Sequence, residues 1–143
     1  MFSENVNQVS VIVTCHNEEK FIEECLVSII NQSYSEIIKE IIVIIDSSKD
    51  SSVEIVKSLK QKNSKLKMIE VNYGSLSKSR NHGIRLTSSK YIAFLDGDDY
   101  WSKDKLYNQF IIFENLDNSY AFLYTNFINF NNDKQKDNYK NIS

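Results

Sequence analysis

Proline is absent from this chain, and glycine occupies only three of its 143 positions. The glycine shortage removes two phosphate-binding loops at once. Neither G-x-G-x-x-G nor G-x-x-x-x-G-K can be written with Gly74, Gly83 and Gly97. Two cysteines, Cys15 and Cys25, are too few for a disulfide framework, and no Cys/His spacing of a zinc site accompanies them. A reduced, cytosolic setting is the expectation. Charge of one sign is lacking too. With 17 Lys+Arg against 19 Asp+Glu, the formal net charge of -2 gives no electrostatic case for a nucleic-acid partner. The run Ile41 to Ile45 is far too short to span a bilayer, and Met1 to Asn5 shows no basic segment leading into an apolar one. The absence of proline and the heavy use of Lys, Asn, Ser and Ile read as compositional bias without functional content.

What is present suffices for one core. Hydrophobic residues make up 41% and aromatics 12%, enough apolar surface for a single domain of this length. Val9 to Thr14 is short, β-branched and bounded by polar residues, the pattern of a strand. Asn17 is a suitable helix N-cap, Glu18 and Glu19 suit a first turn, and Phe21, Ile22, Cys25, Leu26, Ile29 and Ile30 follow at helical spacing. The continuous apolar run at 41–45 fits a parallel strand buried on both faces. Asp50, Ser51 or Ser52 caps a second helix, and 67–71 is a third strand. Ser75 or Ser77 starts a third helix, and 91–95 is a fourth strand. Ser102 caps a fourth helix from Lys103 to about Leu116, and 120–130 is a fifth extended segment. The polar stretch 131–143 reads as a tail. This alternation predicts an α/β fold: a mostly parallel, Rossmann-like sheet with helices on both faces. Its ligands bind beyond the carboxyl ends of the strands.

The polar clusters that end those strands carry the candidate chemistry. Asp96-Gly97-Asp98-Asp99 places three carboxylates in four residues directly after an apolar strand. Their mutual repulsion is relieved by a hard divalent cation, and oxygen ligands suit Mg²⁺ or Mn²⁺. A plain acidic turn capping the next helix is the alternative. Asp46 ends the second strand, where a carboxylate can accept a hydrogen bond from a base imide or can simply cap the following loop. His16 can stack on a base and Thr14 can bond one, although His16 also reads as an ordinary loop histidine. Arg80 suits a diphosphate, or is a solvated helix charge. Without a glycine-rich loop, a metal must do most of the neutralisation of any bound diphosphate. Cys15 and Cys25 read as buried small hydrophobes, Trp101 as packing under the acidic loop, and the aromatics at 120–130 as a sheet face.

Taken in order, these segments resemble family 2 glycosyltransferases. Val9-Ser10-Val11-Ile12-Val13-Thr14-Cys15-His16-Asn17-Glu18-Glu19 is similar to their opening strand, and Ile44-Ile45-Asp46-Ser47-Ser48-Lys49-Asp50-Ser51-Ser52 to their second acidic motif. Ser79-Arg80-Asn81-His82-Gly83-Ile84, followed by Tyr91 to Trp101, resembles the stretch that carries their D-x-D motif. The resemblance implies a GT-A fold and transfer of a sugar, a hexosyl group by expectation, from a nucleotide-diphosphate donor. A UDP-sugar is favoured and an inverting mechanism expected. It implies that Thr14, His16 and Asp46 hold the base, and that Asp96 meets the ribose. Asp96 and Asp98 would hold Mn²⁺ or Mg²⁺ against the diphosphate, with Arg80 adding to its neutralisation.

The sequence departs from the family pattern in two ways. Ile45 stands where an acid is usual, and Ser47 where glycine is usual. No general base is identifiable, since Asp117, Asp133 and Asp137 sit in no matching motif. The expectation is therefore a donor-binding domain over residues 1–130, a polar tail over 131–143, and a missing acceptor half. Expected partners are a nucleotide-sugar and a glycan or lipid-linked acceptor, as in cell-surface polysaccharide synthesis. No nucleic acid and no transmembrane segment are expected, whereas a homo-oligomer is. The expected location is cytoplasmic, or peripheral at the inner membrane face. The alternative is a module that binds nucleotide-sugar and metal without turnover. A nucleotidyltransferase would want a glycine-rich loop after the first strand. A receiver-like signalling domain would want its acids on early strands.

Overall fold

The structure, a computed structural model, describes residues 9–117 and 119–127. Four strands form one sheet: β1 (Val9–Cys15), β2 (Ile38–Asp46), β3 (Leu66–Val71) and β4 (Tyr91–Asp96). Four helices alternate with them: α1 (Ile22–Ile30), α2 (Ser52–Lys62), α3 (Leu76–Leu86) and α4 (Lys105–Asn115). The strand order is β3-β2-β1-β4 and every pairing is parallel. This is the expected α/β fold. All of β1 is buried, as is all of β2 but Lys39. That is why both read as near-continuous apolar runs.

Successive connections step from β1 to β2 to β3. The chain then returns across the sheet to place β4 on the far side of β1. Right-handed crossovers put α1 and α2 on one face and α3 on the other. Helix α3 presses closely on β1, because a Cβ at Gly83 would come within 2.7 Å of Ile12 Cγ2. The reversal makes the carboxyl ends of the paired strands β1 and β4 the point where the strand order switches direction, the usual place for a ligand in such sheets.

Several element ends differ from expectation for identifiable reasons. Helix α1 begins at Ile22, so Asn17 does not cap it. Asn17 adopts a left-handed φ of 54°. Its Oδ1 accepts from the Lys49 N–H (2.7 Å) and its own N–H donates to Ser48 Oγ (3.0 Å), which ties the loop after β1 to the loop after β2. Ser75 does cap α3, accepting from the Lys78 N–H. The chain divides into two units, residues 1–108 and 109–143, and α4 runs through the boundary. The extended segment expected at 120–130 forms no strand over 120–127, and 128–130 lie outside the described residues, as does the tail from 131. Alternating aromatics do not make a strand without a paired neighbour. The described residues of their own unit offer only helix and turn.

Candidate functional site

The acidic loop is built on strand pairing. Thr14 and Asp96 are register partners in β1 and β4. Thr14 Oγ1 donates to Asp96 Oδ1 (2.9 Å), and Arg80 Nη2 reaches both Asp96 oxygens at 2.7 and 2.9 Å. The Gly97 N–H donates to Thr14 O (2.8 Å), and the Asp99 N–H closes the turn on Asp96 O (3.0 Å). Position 97 needs glycine because a Cβ there would lie 3.0 Å from Thr14 O and collide with the Glu18 carboxylate. Asp98 is exposed, and its carboxylate has no hydrogen-bond partner among the described residues.

Glu18 is the residue that sequence reasoning missed. It read as a first-turn helix acid, yet its carboxyl lies against Gly97, with Oε2 buried and without a hydrogen-bond partner. Burial, and then the charge of Asp98, push its pKa up to about 7. Asp99 is raised as well, by burial and then by Asp98 and Asp96. The signal was available only jointly. Glu18 stands four residues beyond Thr14 and meets the acidic loop once β1 and β4 pair.

Asp46 has different surroundings. Its Oδ1 accepts from Ser47 Oγ (2.8 Å) and from the N–H groups of Tyr73 (2.8 Å) and Gly74 (2.9 Å). Its Oδ2 accepts from the Ser75 N–H (3.0 Å) and from Ser79 Oγ (2.9 Å). Burial alone would raise its pKa, but these donors hold the carboxyl far below the usual range. A direct bond from Asp46 to a base would have to displace one of the five. Ser47, where the family usually has glycine, takes a left-handed φ of 57°.

His16 stands beside this arrangement. Its Nδ1 lies 2.6 Å from Asp46 O, an atom that only accepts, so the proton sits on Nδ1. Nε2 then accepts from Asn17 Nδ2 (3.2 Å). The imidazole is thereby held at both ring nitrogens where His16 lines the crevice. Thr14, His16, Glu18, Asp46, Asp96 and Asp98 line a single cleft of about 410 Å³. Arg80 reaches that cleft through Asp96. Cys15 and Cys25 are buried thiols, each pushed up in pKa by burial first, and so unsuited to nucleophilic work.

The donor set was tested against a divalent cation. Three observations fit: hard oxygen donors, an unpartnered buried Glu18 oxygen, and the raising of Glu18 and Asp99 by burial and then by the neighbouring charges. No group of three or more His, Cys, Asp or Glu closes on a common point among the described residues. Magnesium-type sites are commonly completed by substrate phosphates and water, with only one or two carboxylates from the protein.

Comparison with known proteins decides the family. The pattern of Glycosyl transferase family 2 matches residues 10–142. This chain belongs to glycosyltransferase family 2. An uncharacterized glycosyltransferase, EpsJ of Bacillus subtilis, is 43% identical over 94 residues, covering 66% of this chain and 27% of that protein. The poly(ribitol-phosphate) beta-glucosyltransferase of Bacillus spizizenii is 37% identical over 101 residues, covering 69% and 16% respectively. Among solved structures, S. aureus TarS 1-349 in complex with UDP-GlcNAc superposes with a TM-score of 0.67 at 31% identity, covering 75% of this chain and 31% of that one. The mannosyltransferase PcManGT of Pyrobaculum calidifontis, in complex with GDP-Man and Mn2+, gives 0.66 at 25% identity, covering 73% and 32%. The fold is thus the GT-A fold of these neighbours. The family 2 chain described here spans less than a third of the length of each of the two relatives. No helix among its described residues is long and apolar enough to cross a membrane.

Proposed function

We propose that this chain is the donor-binding part of a glycosyltransferase that takes a nucleotide-diphosphate sugar, with a UDP-sugar favoured. The observation that carries the reading is the convergence of Thr14 and Arg80 on Asp96, which lines one cleft with Thr14, while the exposed Asp98 stands at its rim. The likeness to TarS, solved with UDP-GlcNAc and with UDP, supports it.

In this reading His16 offers its fixed ring to the base, and Thr14 borders it. Asp46 acts indirectly, by holding the turn at 73–75 that walls the cleft. Arg80 holds both oxygens of Asp96 and keeps it aimed at the ribose side. Asp98, with Asp96 behind it, would hold Mn²⁺ or Mg²⁺, and a bound cation would neutralise charge on the departing diphosphate. Glu18 keeps water out from beneath the loop. Inverting transfer, and an acceptor that is a glycan or a lipid-linked glycan, complete the proposal. So do a location at the cytoplasmic side of the membrane and self-association. The donor-binding domain is taken to extend to residue 130.

A second reading, binding without turnover, is favoured by one observation. The carboxylates that line the cleft are Glu18, Asp46, Asp96 and Asp98, and each already has a place in the donor site, which leaves none as general base. Titration of UDP with Mn²⁺ and then with EDTA tests the donor site. Manganese-dependent binding is expected, and absence of binding in both buffers would sink the reading. Transfer by the isolated chain to any glycan would dismiss the second reading.

A further inference from the structure

The acidic loop is held from behind by α1 and the residues that follow it. Cys25 Sγ donates to Asp96 O (3.6 Å), on the near side of the loop. Ser28 Oγ accepts from the Trp101 N–H (3.0 Å) and donates to Cys25 O (2.7 Å). Gln32 Nε2 donates to Ser102 O (2.8 Å) and Ser28 O (3.0 Å), while its Oε1 accepts from the Leu106 N–H (3.0 Å). The Ser33 N–H adds a bond to Lys103 O (2.9 Å). Gln32 is 4% exposed and Trp101 6%. Cys25 and Ser28 on α1 and Gln32 just beyond it follow at intervals of three and four residues, so one side of α1 and its continuation grips the chain both before and after Asp98. None of the three lines the donor cleft.

This grip answers a physical problem. Asp96, Asp98, Asp99 and the half-buried Glu18 repel one another, and that repulsion favours an opened loop. Ser28 and Gln32 restrain it with neutral groups and add no charge that would compete for a cation. A buried amide with both its ends engaged also permits one arrangement and penalises others, because each displaced partner is left unsatisfied.

We propose that Ser28 and Gln32 are positioning residues. They fix where Asp98 sits, and so set the affinity for a cation-bound nucleoside diphosphate, without touching cation or nucleotide. The inference rests on the donor-site reading above. Its test uses Trp101, the single tryptophan, as a reporter of the loop.

Ser28→Ala, Ser28→Thr and Gln32→Leu are compared with the wild-type chain by UDP calorimetry, in Mn²⁺ and in EDTA, and by Trp101 emission. Ser28→Ala and Gln32→Leu should weaken manganese-dependent binding at least tenfold and leave EDTA binding within twofold. Trp101 emission should shift to the red and acrylamide quenching should rise. Ser28→Thr, which keeps the hydroxyl, should restore both readouts. Unchanged manganese-dependent affinity alongside a shifted Trp101 overturns the assignment. So does an equal loss in both buffers, which is what a merely structural role would give. If Gln32→Leu fails to fold, Ser28→Ala decides alone. A wild-type chain that binds UDP in neither buffer overturns the donor reading and this assignment with it.

Discussion

Strands β2 and β4 both end in aspartate, yet Asp46 and Asp96 are held in opposite ways. Asp46 is 6% exposed and surrounded by five donors, three of them backbone N–H groups of residues 73–75. Asp96 has a 37% exposed side chain, one arginine and one threonine hydroxyl, and a free carboxylate two residues on. Residue type and position in the strand are the same in both. The donors differ, and they decide the role. A carboxylate saturated by backbone amides is committed to shaping a loop. One held by side chains alone, at the solvent-accessible edge of the cleft and beside an unpartnered neighbour, can exchange partners with a ligand.

The contrast breaks most visibly in stability. Asp46→Ala strands three N–H groups and the Ser79 hydroxyl, while Ser47 keeps its bond to Asn72, and should cost about 3 kcal/mol or more. The urea midpoint checks this, and a loss below about 1 kcal/mol would show that the five bonds do not hold the loop. Asp98→Asn should leave that midpoint within about 0.5 kcal/mol, because no partner is lost, yet reduce manganese-dependent UDP affinity by about tenfold or more. Calorimetry on the two variants sharpens the division between scaffold and ligand-binding carboxylate. A smaller effect is expected of His16→Ala. Loss of a stacking surface should weaken UDP by about 1–2 kcal/mol, and CDP equally, since stacking does not read the base edge. A loss confined to UDP would instead mean that an edge contact is made.

Those differences also explain what could be read from the sequence. The sheet was legible because β1 and β2 are buried on both faces and must be apolar throughout. The acidic loop was legible as a place, because Asp96-Gly97-Asp98-Asp99 follows directly on the apolar residues of β4. The occupancy of Asp46 was not, since its partners lie 27 to 33 residues away, apart from Ser47, and most are backbone groups without sequence identity. Asn17 has cap chemistry, but it spends it on Ser48 and Lys49, a tertiary contact that propensity does not record. The grip of Gln32 on Ser102 and Leu106 was hidden for the same reason.

The last prediction turns the comparison into opposite pH slopes. Glu18 binds its proton more tightly in the folded chain, at about 7 against 4.5, because burial and Asp98 disfavour its anion. Its stabilising contribution is complete below 4.5 and is lost as pH rises through 7. The full shift, discounted for the part of Glu18 that solvent still reaches, is worth about 1 kcal/mol. Asp46 has the opposite sign. Its pKa is depressed, so its contribution is present above 3.8 and is lost only as pH falls below that value. Thermal unfolding should therefore show Tm declining between about pH 5 and pH 8 in the wild-type chain. Glu18→Gln should flatten that decline and leave in place the acid limb, to which Asp46 contributes together with Glu40 and Asp50, also depressed. A decline that persists in Glu18→Gln would assign the slope to another carboxyl of the acidic loop, Asp99 first, since it too is raised.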